Sequence, residues 1–166
     1  TRRGTRPGSP LADCIFHILM ADITKDINLW FTEQEDFQSI LQEADLDVEC
    51  IVWADDLALP LATRHASQIP TIIEAALAHV HMVFRRRGFL LNLNKGKTSV
   101  VATFKGPGAA DLRRQYQLND RPGMTIELGS SEVFIHFVAH YKHLGTMFSS
   151  SHSLDLEIAT RIGLAR

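Results

Sequence analysis

Two adjacent aspartates, Asp55 and Asp56, stand between apolar, β-prone residues in the segment CIVWADDLALPLA. That pattern predicts a hairpin whose tight turn carries the acids, with Pro60 placing the returning strand near a sheet edge. Carboxylates at the exposed tip of a rigid turn suit Mg²⁺, a hard cation that takes one or two carboxylates and fills its remaining positions with water and substrate phosphates. Such a site serves nucleotidyl transfer. Asp55 is the stronger candidate ligand and Asp56 the weaker, because successive side chains on an extended backbone diverge. A solvated acidic turn is the plain structural account of the same two residues, so their surroundings decide between the readings.

Other residues with chemical potential divide quickly. Asn94-Lys95-Gly96-Lys97-Thr98-Ser99 ends like a phosphate-binding loop, but GxxxxGK[ST] requires glycine where Leu91 stands. His136, His140 and His143 fall on predicted strands at spacings that do not put all three on one face, which disfavours a zinc site. His79 and His81 flank an apolar helical face and are expected at its rim. Arg85, Arg86 and Arg87 close a helix, where they complement its dipole or contact nucleic acid. Trp30 and Phe31 read as packing residues. Cys14 and Cys50 form no CxxC pair, which excludes a disulfide scaffold and a cysteine zinc site; two buried, reduced thiols are expected.

The elements that position these residues follow from periodicity. Apolar Leu11, Cys14, Ile15, Ile18 and Leu19 recur at helical spacing after a Ser9 N-cap and Pro10, predicting a helix from about residue 10 into the high twenties, with the acidic turn beside its start. Glu33 to Glu49 holds seven acids and no base and reads as a solvated, part-helical connection. Ile69 to Phe84 carries the clearest amphipathic pattern, ended by the three arginines and Gly88 at C′. FLLNL, KTSVVATF, MTIEL, EVFIHFVAH and YKHLGTMF are predicted strands, Ala109 to Tyr116 a short helix, and Leu154, Ile158, Ile162 and Ala165 begin a last helix that stops with the chain, as a fragment would.

The 166 residues are 45% hydrophobic and 22% charged, which suits one globular domain with a real core. With no long apolar run and no signal-peptide pattern, the chain reads as soluble and intracellular, in nucleus or cytoplasm, neither secreted nor membrane-spanning. Residues 1–58 hold twelve acids against four bases, whereas 59–166 hold seven against thirteen. The basic part suits a phosphate backbone and the acidic part a divalent cation.

Taken in order, RGTRPGSPLADCIF, WADDLAL, GFLLNLNKGKT and YKHLG resemble four successive boxes of the reverse transcriptases of non-LTR (LINE-type) retrotransposons, a resemblance that spans most of the chain. The first box, with Gly4, Arg6, Gly8, Pro10, Leu11 and Phe16, is similar to that family's turn and helix. Trp53, Ala54, Asp55 and Asp56 resemble its Tyr-Ala-Asp-Asp hairpin. Gly88, Asn92, Lys97 and Thr98 match the stretch that closes the palm, and Tyr141, Leu144 and Gly145 match the primer-grip hairpin. Pro7 stands where the family has glutamine, and Trp53 where it has tyrosine.

The resemblance implies an α+β fold: a partial polymerase palm, with an antiparallel sheet carrying Asp55 and Asp56, helices on one face, and the start of a thumb helix. Residues 1–104 would form the partial palm, 105–148 the connection and primer-grip-like hairpin, and 149–166 the thumb start. By the same resemblance the function is RNA-directed DNA polymerisation within a larger polyprotein, using Mg²⁺ or Mn²⁺, an RNA template, a DNA primer and dNTPs, with no membrane partner. Asp55 and Asp56 would bind metal; Gly4, Arg6, Gly8, Lys95 and Lys97 would contact template or substrate; Tyr141, Leu144 and Gly145 would grip the primer; Arg85 and Arg86 would touch nucleic acid. The family's first catalytic aspartate and its fingers precede the first box, so no primer extension is expected from the 166 residues alone. A non-catalytic remnant that only binds nucleic acid, or serves as a structural piece, is the competing expectation.

Overall fold

A computed structural model describes residues 10–43, 51–53, 56–94, 96–143, 146–151 and 153–164. It shows an α+β protein whose chain divides into two compact units, Thr1–Ala62 with His79–Leu90, and Thr63–Ala78 with Leu91–Arg166. Among the described residues, no helix is long and apolar enough to cross a membrane.

The first unit is built on α1 (Pro10–Glu33), followed by α2 (Glu35–Glu43), the antiparallel pair β1 (Ile51–Trp53) and β2 (Asp56–Ala58), and the C-terminal part of α3 (Ile69–Arg86). Met20, Ile23, Ile27 and Phe31 lie at helical spacing on one side of α1 and are buried, as are Val80 and Val83 of α3. Each such burial contributes roughly 1.5–3 kcal/mol. Side-chain pairs fix α1 antiparallel to this part of α3: Trp30 stacks on His79 at 5.3 Å, and further back Arg87 donates through Nε to Asp22 (2.8 Å) and through a terminal nitrogen to Asp26 (2.6 Å). His79 to Arg87 and Trp30 to Asp22 each span about 12 Å of helix, so the two contacts stay in step. The carboxylates, Asp26 first, hold the Arg87 guanidinium above its ordinary pKa.

The end of α3 explains why FLLNL is not a strand. Gly88 adopts φ +80°, its N–H bonds the Arg85 carbonyl, and the Phe89 N–H bonds the Phe84 carbonyl, both at 3.0 Å. This is a Schellman stop, for which glycine at C′ is the natural residue. Phe89 then packs edge-on against Phe84 and Phe16, so it anchors the helix end and Leu90 is left 81% exposed.

In the second unit β3 (Ser99–Val100), β4 (Gly123–Leu128) and β5 (Ser131–Phe137) form one sheet in the order β3-β5-β4, parallel between β3 and β5 and antiparallel between β4 and β5. Met124, Ile126, Leu128, Ile135 and Phe137 alternate into the core. There Phe104, Phe137 and Tyr116 of α4 (Ala109–Tyr116) stack at centroid distances of 5.9–6.4 Å. The run predicted as a strand over KTSVVATF pairs only at Ser99 and Val100. Beyond them the Ala102 carbonyl is taken by Gln117 Nε2 (2.7 Å) and the Phe104 carbonyl by a terminal nitrogen of Arg113 (2.8 Å), so side chains of and just after α4 replace a neighbouring strand. Glu74 of α3 accepts the Glu127 N–H of edge strand β4 at 3.2 Å, blocking that edge.

YKHLGTMF folds as two short strands: β6 (His140–His143) pairs antiparallel with β7 (Thr146–Ser149). The final helix α5 (Asp155–Leu164) sends Glu157 to the Met147 N–H of β7 (2.7 Å), with Arg161 on the same carboxylate. Arg161 and then the Met147 N–H pull the Glu157 pKa below its usual value.

Two further expectations change. Among the described residues the strands form three sheets, one of them partly parallel, rather than a single antiparallel sheet carrying the acids. Cys14 is exposed, because the buried face of α1 runs through Met20, Ile23 and Ile27 and leaves Leu11, Cys14, Ile15 and Ile18 outside it; Cys50 lies outside the described residues. Ile158 and Ile162 of α5, and Leu154 just before it, are also more than half exposed, and Glu157 makes the polar contact with β7.

His79 is also more than a rim residue. Its ring lies on Trp30 and its Nε2 is buried without a partner. Burial lowers its pKa, reinforced by Arg86 and opposed by the Asp26 main chain, the Asp26 charge and Glu33. The folded state therefore disfavours the imidazolium, and stability present above the unfolded pKa of about 6.5 is lost as pH falls through and below that value. Urea unfolding at pH 7.5 and pH 5.5 should give a lower midpoint at the acid value, and His79→Phe should shrink the difference. An unchanged difference in His79→Phe would assign the pH effect to other groups.

Candidate active site

The acidic hairpin forms as an antiparallel pair in which Trp53 is opposite Asp56 and Val52 opposite Leu57. Two residues, Ala54 and Asp55, connect the last pair, and both lie outside the described residues. Asp56 opens β2 and is exposed. A solvent-facing carboxylate beside a two-residue connection has the donor chemistry of a Mg²⁺ ligand. Among the described residues no three His, Cys, Asp or Glu side chains cluster as a metal site.

Val52 of the same hairpin borders a groove of about 730 Å³ whose other wall is α1, with His17, Thr24, Lys25 and Asn28 on it. These wall residues follow helical spacing, so periodicity carried a signal for them, but nothing in the local sequence marks β1 as the opposite wall.

The remaining candidates fall into separate groups. Gly4, Arg6, Gly8, Lys95, Leu144 and Gly145 lie outside the described residues. Arg85 and Arg86 are exposed at the end of α3, whereas Arg87, the third of that run, is committed to Asp22 and Asp26 and is only 17% exposed. Lys97 is exposed. The Tyr141 hydroxyl donates to the Lys97 carbonyl at 3.0 Å, which joins a residue of the third box to one of the fourth. No local pattern could have announced that bond, since 44 residues separate its ends. His136 lies on β5 edge-on to Phe134, and His140 on β6.

No family model, curated protein or solved structure matches the chain.

Proposed function

We propose that this chain is part of an RNA-directed DNA polymerase of a non-LTR retroelement, acting on an RNA template, a DNA primer and dNTPs within a larger polyprotein. The observation that carries the proposal is the β1–β2 pair, because the ladder ends at Trp53 and Asp56 and leaves Ala54-Asp55 as its connection. Box order supports the same reading: turn and helix, acidic hairpin, lysine turn and Tyr141 hairpin follow one another as in the family the sequence resembles.

In this reading Asp55 and Asp56 hold the metal. Mg²⁺ held there would supply charge neutralisation at the triphosphate and would make the primer hydroxyl more acidic. The chain's own residues orient the reactants: Lys97 meets phosphate oxygens, the Tyr141 hairpin supports the primer, and Arg85 and Arg86 extend the basic surface. Positioning of this kind lowers the barrier by removing translational and rotational freedom before reaction.

Binding to a short RNA–DNA hybrid tests the nucleic-acid side of the proposal. Affinity should fall as salt rises, since each phosphate contact releases counterions. Arg85→Ala combined with Arg86→Ala should weaken binding and reduce the log–log salt slope by about one to two, with the unfolding midpoint kept, because both side chains are exposed. Affinity indifferent to salt would remove the phosphate-backbone reading, and an unchanged slope in the double variant would return the two arginines to the helix dipole alone.

A further inference from the structure

The turn that presents Lys97 is closed by its own hydrogen bonds. Thr98 donates to the Asn92 carbonyl through both N–H (3.1 Å) and Oγ1 (2.9 Å), Lys97 N–H donates to the Asn94 carbonyl (3.0 Å), and Asn94 N–H donates to Asn92 Oδ1 (3.3 Å). Gly96, just before Lys97, has φ +80°, in the left-handed region that favours glycine. Holding the Lys97 carbonyl restrains the main chain from which its side chain springs. Tyr141 holds that carbonyl from outside the turn. Its hydroxyl reaches Lys97 C=O at 3.0 Å from β6, where Tyr141 is paired with Phe148 of β7. The bond uses the lysine main chain and leaves its exposed ammonium free to meet a ligand.

We infer that Tyr141 is a positioning residue, whose hydroxyl holds the Asn92–Thr98 turn so that the Lys97 ammonium meets phosphate oxygens of a bound nucleic acid or nucleotide. The phosphate ligand rests on the polymerase reading above; the tether rests on the turn's geometry. A lysine carries a long stem and loses rotamer freedom on contact. If its main chain also had to be ordered on binding, the contact would be weaker still, and a preformed tether removes that second cost. The tether also makes the lysine turn and the β6–β7 hairpin respond together to whatever ligand touches either.

The full 166-residue chain, Lys97→Ala, Tyr141→Phe and the double variant should be titrated with a short RNA–DNA hybrid over a range of salt, and separately with inorganic tripolyphosphate. Lys97→Ala is expected to lower the hybrid salt slope by about one and the low-salt affinity by roughly twofold to fivefold. Tyr141→Phe should produce part of the same loss in both quantities, while the double variant binds no more weakly than Lys97→Ala, because residues acting as a unit are not additive. Lys97→Arg should keep the affinity and its dependence on Tyr141. Losses confined to tripolyphosphate would identify a nucleotide as the source of the phosphate, and losses with the hybrid a nucleic-acid backbone; either supports the inference. A Tyr141→Phe chain with wild-type affinity and slope overturns it, as does a Tyr141 effect that adds in full to that of Lys97, the signature of a purely structural role. Salt-sensitive hybrid binding unaffected by Lys97→Ala overturns this inference while leaving the polymerase reading in place, and absence of wild-type binding to either probe overturns both.

Discussion

Gly123→Ala should destabilise the protein by more than about 3 kcal/mol, among the largest effects available to a single methyl group. Gly123 has φ +148°, and a Cβ there would stand 2.2 Å from the Ile135 carbonyl oxygen and 2.6 Å from two carbons of the Phe134 ring. Neither neighbour has an easy retreat. Ile135 is fully buried and paired with Met124 in the β4–β5 ladder, so its carbonyl moves only with the strand. The Phe134 ring has the Arg121 guanidinium 3.8 Å from its centroid and meets His136 edge-on. Gly123 also begins the ladder, opposite His136, next to the bond from Phe137 N–H to the Pro122 carbonyl. Thermal unfolding should show a midpoint lower by roughly 10 °C or more. Gly163, inside α5, is the contrasting case: a methyl group there would have no neighbouring atom within 4 Å, so alanine should be neutral or stabilise by up to about 1 kcal/mol. A Gly123→Ala protein as stable as the parent would mean that the Phe134 ring and the strand yield at little cost.

The second large effect concerns activity. On the proposed polymerase reading, in a polypeptide that joins this sequence to the strand carrying the first catalytic aspartate of the family it resembles, Asp55→Ala should lower Mg²⁺-dependent primer extension on an RNA template by on the order of a thousandfold or more, since it would remove a carboxylate from the metal. Asp56→Ala should cost less, about tenfold to a hundredfold, the range of residues that support a ligand rather than supply it. Asp56 is exposed at the start of β2, so its loss should leave the unfolding midpoint near that of the parent. Hybrid binding measured on the same variants separates the two roles, because a metal ligand can be lost without losing the phosphate contacts of the basic surface. Extension that survives Asp55→Ala would refute the assignment of that residue, and hybrid binding without any extension by the parent would favour the non-catalytic reading.

Local chemistry was readable along the chain. The spacing of apolar residues in α3, with arginines and Gly88 behind them, specifies both the helix and its Schellman stop. The span of α4 agrees with the short helix expected over Ala109 to Tyr116, and alternation in MTIEL and EVFIHF specifies β4 and β5 and the faces they bury. The apolar flanks of the acidic pair likewise specify an antiparallel hairpin. Each of these signals acts within a few residues, through backbone preference, capping or side-chain period.

What the sequence alone did not determine depends on partners far along the chain. Whether VVATF becomes a strand turns on who takes its carbonyls, and Gln117 and Arg113 take those of Ala102 and Phe104. Whether a third arginine is free turns on Asp22 and Asp26, more than sixty residues earlier, and whether Cys14 is buried turns on which side of α1 meets the core. The exposed stripes of α1 and α5 carry the same helical period as a core face, because periodicity marks an apolar side and is silent about what covers it. The bond from Tyr141 to Lys97 belongs to the same class: its two ends become neighbours only when β6 and the Asn92–Thr98 turn are folded, so tertiary structure alone decides that these residues act together.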